Sequence, residues 1–282
     1  MNHYTYIACL YMFFSVTVSG SARSQQTLND PLSVDVADHM LELAGVNGRD
    51  TLYDIGSGDE RIVIGAAKRY GAYGVGIDIS SSWPQQIGLK AQEALVGDRV
   101  RFLRGTAAHA DLHSATVVLL RLSQKQNLSL RTQLLEQLRP GTRIVSSRAD
   151  LGEWEPDRCM HLGQDRIYFW IVPANVSGRW EWEVDREEIS AKIKQDFQHI
   201  RLSVRSDNWT SDTRFDIMGN RVSFSITATD SSHYSYTGVV EDNTITGFVL
   251  TPSGSWYPWE AKRRRSSAEP IDIQFRTQGN RS

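Results

Sequence analysis

The segment Asp54-Ile55-Gly56-Ser57-Gly58-Asp59-Glu60-Arg61 constrains the fold more than any other part of this chain. An apolar run, Thr51-Leu52-Tyr53, leads into its two glycines, and a helical pattern opens directly after them. Roughly twenty residues on, as in nucleotide-binding βαβ units, a second apolar run, Gly74-Val75-Gly76-Ile77, ends on Asp78. The order is strand, glycine turn, helix, and a second strand whose terminal carboxylate stands beside the turn. Glycines at 56 and 58 let the backbone bend sharply and approach a ligand closely, because neither carries a Cβ. A strand-end carboxylate at Asp78 is placed to accept hydrogen bonds from two vicinal ribose hydroxyls. A lone G-x-G is more often an ordinary tight turn; the flanking strand, helix and acidic residue are what point to a cofactor.

The third glycine of a dinucleotide fingerprint would fall at Arg61, where a bulky cation does not suit close helix–strand packing. The pattern therefore fits an adenosyl cofactor without a pyrophosphate better than a nicotinamide dinucleotide. Between the two classes that the turn suggests, methyltransferase and dehydrogenase, this favours the first.

Periodicity extends the unit in both directions. Helical spacing over 34–46 precedes a strand at Thr51–Ile55, a helix at Glu60–Tyr70 capped by Gly71, and a strand over 74–79. A helix over 85–95, strands over 99–103 and 116–120, a helix over 128–138 and a strand over 142–146 follow. Two extended runs, 159–162 and 166–172, separated by Gly163-Gln164-Asp165, read as a hairpin. From about Ala174 the chain becomes β-rich, with runs at 180–184, 200–204, 221–228, 234–240 and 244–250 and turn residues between them. Trp256 and Trp259 are expected to flank a corner at Pro258 before a last short strand, the whole forming a small barrel or sandwich.

These residues resemble a bacterial branch of the class I S-adenosylmethionine-dependent methyltransferases. The likeness rests on 54–64, on Ala66-Ala67-Lys68-Arg69-Tyr70-Gly71 and on Gly74 to Asp78. It continues in Ala115-Thr116-Val117-Val118 and Asn127-Leu128, then in Leu138-Arg139-Pro140-Gly141-Thr142-Arg143-Ile144-Val145-Ser146. Gly152-Glu153-Trp154-Glu155-Pro156-Asp157 and Trp170-Ile171-Val172-Pro173-Ala174 complete it. The branch also resembles the mitochondrial protein-lysine methyltransferases. Some members carry a signal peptide and a C-terminal β-domain opening at a Gly-x-Trp such as Gly178-Arg179-Trp180.

The resemblance implies an α/β fold: a Rossmann-like methyltransferase sheet, parallel with an antiparallel terminal hairpin, followed by a small antiparallel β domain. The expected divisions are a signal peptide over 1–22, an α/β domain over 33–174, a β-rich domain over 175–262 and a disordered tail over 266–282. S-adenosyl-L-methionine is the implied cofactor, held by Asp54, Gly56, Ser57, Gly58 and Asp78. Arg121, Asn127 and Trp154 fall on the side where a methyl acceptor would enter, with Asn127 otherwise expected to cap a helix and Trp154 to pack in the core. The acceptor itself, a protein lysine or a small molecule, is left open, and no catalytic residue or metal site is assigned.

Several positions depart from the family pattern. Glu60 replaces a glycine at the methionine end of the cofactor, Thr106 an acidic residue near the adenine, and Arg121 and Gln124 an aromatic and a proline. Ser146-Ser147 replaces Ser-His. They keep a second reading in play, a catalytically inactive scaffold of the same fold acting in the cell envelope.

A net charge of −2 gives no electrostatic footprint for nucleic acid. The run from Ile7 to Val18 is too short to span a bilayer comfortably and ends in Ser19-Gly20-Ser21-Ala22, so export is expected, with a cytoplasmic location as the alternative. Cleavage there would remove Cys9 and leave Cys159 alone.

Overall fold

The computed structural model describes residues 34–78, 89–265 and 267–271. The 1–22 segment, the lead-in after it, the first half of the helix expected over 85–95 and most of the expected tail lie outside these residues.

The first sheet has seven strands in the order β3-β2-β1-β4-β5-β7-β6. Its parallel strands are β1 (Thr51–Ile55), β2 (Tyr73–Asp78), β3 (Val100–Arg104), β4 (Val117–Leu120) and β5 (Arg143–Ser147). The hairpin β6 (Arg158–Leu162) and β7 (Asp165–Ile171) closes the edge, with β7 antiparallel to β5. Strand order reverses between β1 and β4, so the crevice for a ligand opens at the carboxyl ends of these two strands.

Alternation along the central strands divides the core. Leu52, Val117, Leu119, Val145 and Phe169 face α1 (Val34–Leu43) and α2 (Glu60–Tyr70). Tyr53, Val118, Leu120, Ile144 and Trp170 face the other way, toward Leu130 and Leu134 of α3 (Gln124–Gln137). Buried on both faces, β4 is apolar throughout, as parallel central strands are. Helix α2 starts at an Asp59 cap, whose carboxylate accepts from the Arg61 N–H, and stops at Gly71 in the left-handed conformation.

Helix α3 begins four residues before the periodicity suggests. Ser123 and Gln126 form a reciprocal capping box, and the polar first turn Gln124-Lys125-Gln126 carries no apolar signal. Asn127 is therefore not a cap but a buried residue inside the helix.

The second sheet is an eight-stranded meander, β8 (Gly178–Val184) to β15 (Trp256–Arg263), in the order β11-β10-β9-β8-β15-β14-β13-β12. Its first and last strands pair, and a Trp209–Ala228 bridge links the β11 and β12 sides, giving a nearly closed barrel. Trp182, Phe224, Tyr236 and Trp259 interlock edge-to-face and stacked in its interior. The buried indole tips find acceptors: Trp182 Nε1 donates to Tyr236 Oη and Trp259 Nε1 to the Thr237 carbonyl.

Two of these strands, β9 (Glu187–Asp196) and β11 (Thr210–Asp216), escape the sequence reading because their outward positions are largely charged or polar. Pro258 is not a corner; it lies within β15 opposite Phe248. Pairing of β15 with β8 starts only at Ala261, so Pro258 occupies a stretch with an open edge, where a missing N–H is tolerated.

Candidate functional site

At the carboxyl end of β1 the chain turns through Gly56 (φ 77°) and Gly58 (φ 60°), both in the left-handed region. A Cβ on Gly56 would overlap the Leu122 Cδ2 methyl and stand 3.2 Å from the Arg121 carbonyl oxygen. Gly56 thus allows the turn to pass directly beneath the end of β4. A Cβ on Gly58 would stand 3.7 Å from Asp78 Oδ2, which places the β2 carboxylate beside the turn as the sequence spacing requires.

Ser57 ties the turn together. Its hydroxyl donates to Asp54 Oδ2 and accepts from the Asp59 N–H at 3.1 Å. The other oxygen, Asp54 Oδ1, is buried with no hydrogen-bond partner among the described residues. Burial pushes the Asp54 carboxyl up to about 7; the Ser57 hydrogen bond opposes that shift, and neighbouring Asp59 and Asp78 reinforce it. A buried carboxyl with one oxygen unsatisfied is a group prepared for a ligand donor.

Glu60, the residue that departs from the family glycine, opens α2. Its carboxylate pairs with Lys90 Nζ, from the helical stretch 89–93. Thr106 caps a 3₁₀ turn, Ala107–His109, and its hydroxyl bonds His109 Nδ1 at 2.8 Å.

Past the end of β4, the backbone N–H of Arg121 continues the β1–β4 ladder to Ile55, and its guanidinium is buried. Burial and the nearby Arg148 pull the Arg121 pKa below its ordinary value. Asn127 holds the loop after β5: its amide nitrogen donates to Ser146 Oγ, the Ala149 carbonyl and the Asp150 carbonyl at 3.1, 2.9 and 3.3 Å. Its own Oδ1 is buried without a partner among the described residues.

Trp154 is fully buried in the core between α3 and the sheet, and its carbonyl accepts from Trp170 Nε1 at 2.8 Å. That burial is what core packing, one of its two expected roles, requires. The structure gathers Asp54, Gly56, Ser57, Gly58 and Asp78 around one turn and sets Arg121 beside it, while Asn127 holds the loop after β5 from α3 and Trp154 lies within that loop. Leu122, which roofs Gly56, carries no sequence signal beyond being apolar after a strand.

Comparison with known proteins bears on this geometry. A family model described as the ANTKMT methyltransferase domain matches residues 54–158. A protein-lysine N-methyltransferase from Saccharolobus islandicus (strain REY15A) is 34% identical over 147 residues, 50% of this chain and 91% of that protein. An RNA methyltransferase from Salinibacter ruber, solved in complex with S-adenosyl-L-homocysteine, is 47% identical. That alignment covers 52% of this chain and 96% of the Salinibacter chain, with a TM-score of 0.51. With near-complete coverage of the lysine methyltransferase relative, and with the glycine turn and strand-end carboxylates in place, this chain belongs to the class I S-adenosylmethionine-dependent methyltransferase family.

Proposed function

We propose that this protein binds S-adenosyl-L-methionine at the β1 turn and methylates the side-chain amine of a protein lysine. The observation that carries the lysine assignment is the match over 91% of a protein-lysine N-methyltransferase. The turn suits the cofactor on its own evidence: two left-handed glycines keep it free of side chains, Asp78 adjoins it, and Asp54 offers a buried unsatisfied oxygen.

The bound cofactor supplies a methyl group already activated by a sulfonium. The protein's work is then mainly alignment and exclusion of water. Asp78 would accept from the ribose hydroxyls, and Gly56 and Gly58 admit the cofactor against the backbone. Asp54, ionised, would face the cationic amino group, directly or through water. Arg121 and Leu122 wall the site toward β4. The lysine must lose its proton before it reacts, and that proton leaves to solvent in this reading.

Asp78→Ala is expected to weaken S-adenosyl-L-homocysteine binding by about 1–3 kcal/mol, the usual cost of losing hydrogen bonds to a charged group. Calorimetric titration checks this, and unchanged affinity would remove Asp78 from the site. The acceptor class is tested with tritiated cofactor and a protein extract. Label should appear on protein, and prior reductive methylation of the extract's lysines should abolish it. Label that persists after lysine blocking, or that ribonuclease removes, would overturn the lysine assignment.

A further inference from the structure

The turn between β9 and β10 (His199–Arg205), Phe197-Gln198, leaves its own sheet and enters the first one. Phe197 packs with Leu151, Trp154 and Trp170 in the core under the first sheet, not with the barrel interior. Its ring stacks on Trp154, with centroids 5.5 Å apart and planes within 5°. The Arg131 guanidinium of α3 lies 5.9 Å from the same ring. Next to it, Gln198 Nε2 donates to the Glu155 carbonyl at 2.8 Å.

This contact is held under strain. Phe197 has φ 50°, a conformation that bulky residues rarely adopt and that persists only where the surroundings over-determine it. Gln195 Nε2 clamps the turn by donating to the carbonyls of Phe197 and Ala174, and the Ile217 N–H donates to the Gln198 carbonyl. Tight hairpin turns call for a positive φ, as at Asp185, Arg186 and Asp242 of the same sheet, but not for an aromatic ring at that position.

The loop that Phe197 meets is the one gripped from the other side by α3. Asn127 binds the Ala149 and Asp150 carbonyls, Gln124 Nε2 donates to Asp150 Oδ1, and Arg131 reaches the Leu151 carbonyl. Leu151 and Trp154 bridge across it. The loop after β5 is therefore clamped between α3 and the second sheet.

We propose that Phe197 is a positioning residue for methyl transfer: the second sheet drives it as a wedge under Trp154 and so fixes the 148–155 loop on the acceptor side. The functional half rests on the reading of that loop as the acceptor side of a working methyltransferase. Among the described residues, the ring and hydrogen-bond contacts of Phe197 run to Trp154, Arg131 and Gln195 and not to the Gly56–Gly58 turn. Loss of the wedge should thus separate cofactor binding from transfer.

The test uses the full chain, with Phe197→Ala, Gln198→Leu as a milder second variant, and Phe224→Ala as a control. Phe224 is a buried barrel aromatic that stacks on Tyr236 away from the loop. Deuterium exchange over 148–156 should rise about tenfold or more in Phe197→Ala, and less in Gln198→Leu, while strand β4 stays protected. S-adenosyl-L-homocysteine affinity should not change. Transfer of tritiated methyl to protein extract at saturating cofactor should fall about 10–100-fold, the scale of a small misplacement of reacting groups. Phe197→Leu, which refills the space, should recover part of it.

Unaltered exchange over 148–156 in a folded Phe197→Ala, or an equal rise in Phe224→Ala, would overturn the wedge. Loosened exchange with undiminished transfer would overturn its role in positioning. If the wild type binds cofactor yet transfers nothing, the proposed function fails, and the role of Phe197 in transfer fails with it. The exchange data would then still decide whether Phe197 fixes the loop.

Discussion

Replacing Asp54 by Asn is expected to stabilise the ligand-free protein above pH 7 and, over the same range, to weaken its hold on the cofactor. In the folded chain burial raises the Asp54 carboxyl from its ordinary 3.8 to about 7. A group with a raised folded pKa favours folding at low pH, and that contribution is lost progressively as pH climbs from about 4 to 7. Well above pH 7 the ionised carboxylate opposes folding by roughly 4 kcal/mol, at about 1.36 kcal/mol per pKa unit. Asn carries no such charge and keeps an oxygen for the Ser57 hydroxyl. The variant should therefore melt several degrees higher at pH 8, with the gain shrinking steadily toward pH 4.

Cofactor binding should move the other way. In the wild type, affinity for S-adenosyl-L-homocysteine should fall as pH drops below 7 and Asp54 takes up its proton, whereas the Asn variant should be flat. Thermal scans and calorimetric titrations from pH 5 to 8.5 report both quantities. Equal melting temperatures at pH 8 would show that Asp54 is not held against its ionisation, and parallel pH profiles would take it out of the cofactor site.

Most of the cofactor half was readable in the sequence because its determinants are local. A strand, two glycines with φ above 0°, a capped helix and a strand-end Asp78 lie close together along the chain, and each leaves a residue-type signature. The surroundings of Arg121, Asn127 and Trp154 depend on contacts between distant segments. Asn127 looks like a cap until Ser123 is seen to hold that place, and only the fold brings its amide to the carbonyls after β5. Trp154 could be assigned to core or channel equally well from its neighbours. In the fold its ring stacks on Phe197, an aromatic from a distant hairpin turn that any periodicity argument reads as exposed. In the second sheet the failures are of another kind. Charged and polar residues outnumber the inward positions of β9 and β11, although both alternate with period two, Ile189, Ala191 and Ile193 facing in along β9. Pro258 reads as a corner in the sequence because the open edge that accommodates it within the strand is a property of strand lengths, not of its own neighbourhood.

Gly56→Ala should be the most damaging single-methyl change in the site. At φ 77° an alanine pays about 1–2 kcal/mol in backbone strain. Its Cβ also overlaps Leu122 Cδ2, and overpacking of this kind adds about 1–3 kcal/mol. The two costs are separable. Leu122 is a flexible side chain and can yield, whereas the Arg121 carbonyl, 3.2 Å from the new Cβ, is backbone of a residue whose N–H is anchored to the Ile55 carbonyl. Relief therefore comes by moving either Leu122 into the cleft or the turn away from β4, and both shrink the cradle. S-adenosyl-L-homocysteine affinity should fall by at least about tenfold, the equivalent of 1.4 kcal/mol. Adding Leu122→Ala should restore much of the binding but not the stability, since the backbone strain remains and Leu122 packing is lost. Such opposite responses are the mark of direct coupling between two residues in contact. Urea unfolding and titration of the two single variants and the double variant read this out. If Gly56→Ala binds as tightly as the wild type, the turn is not where the cofactor lies against the backbone.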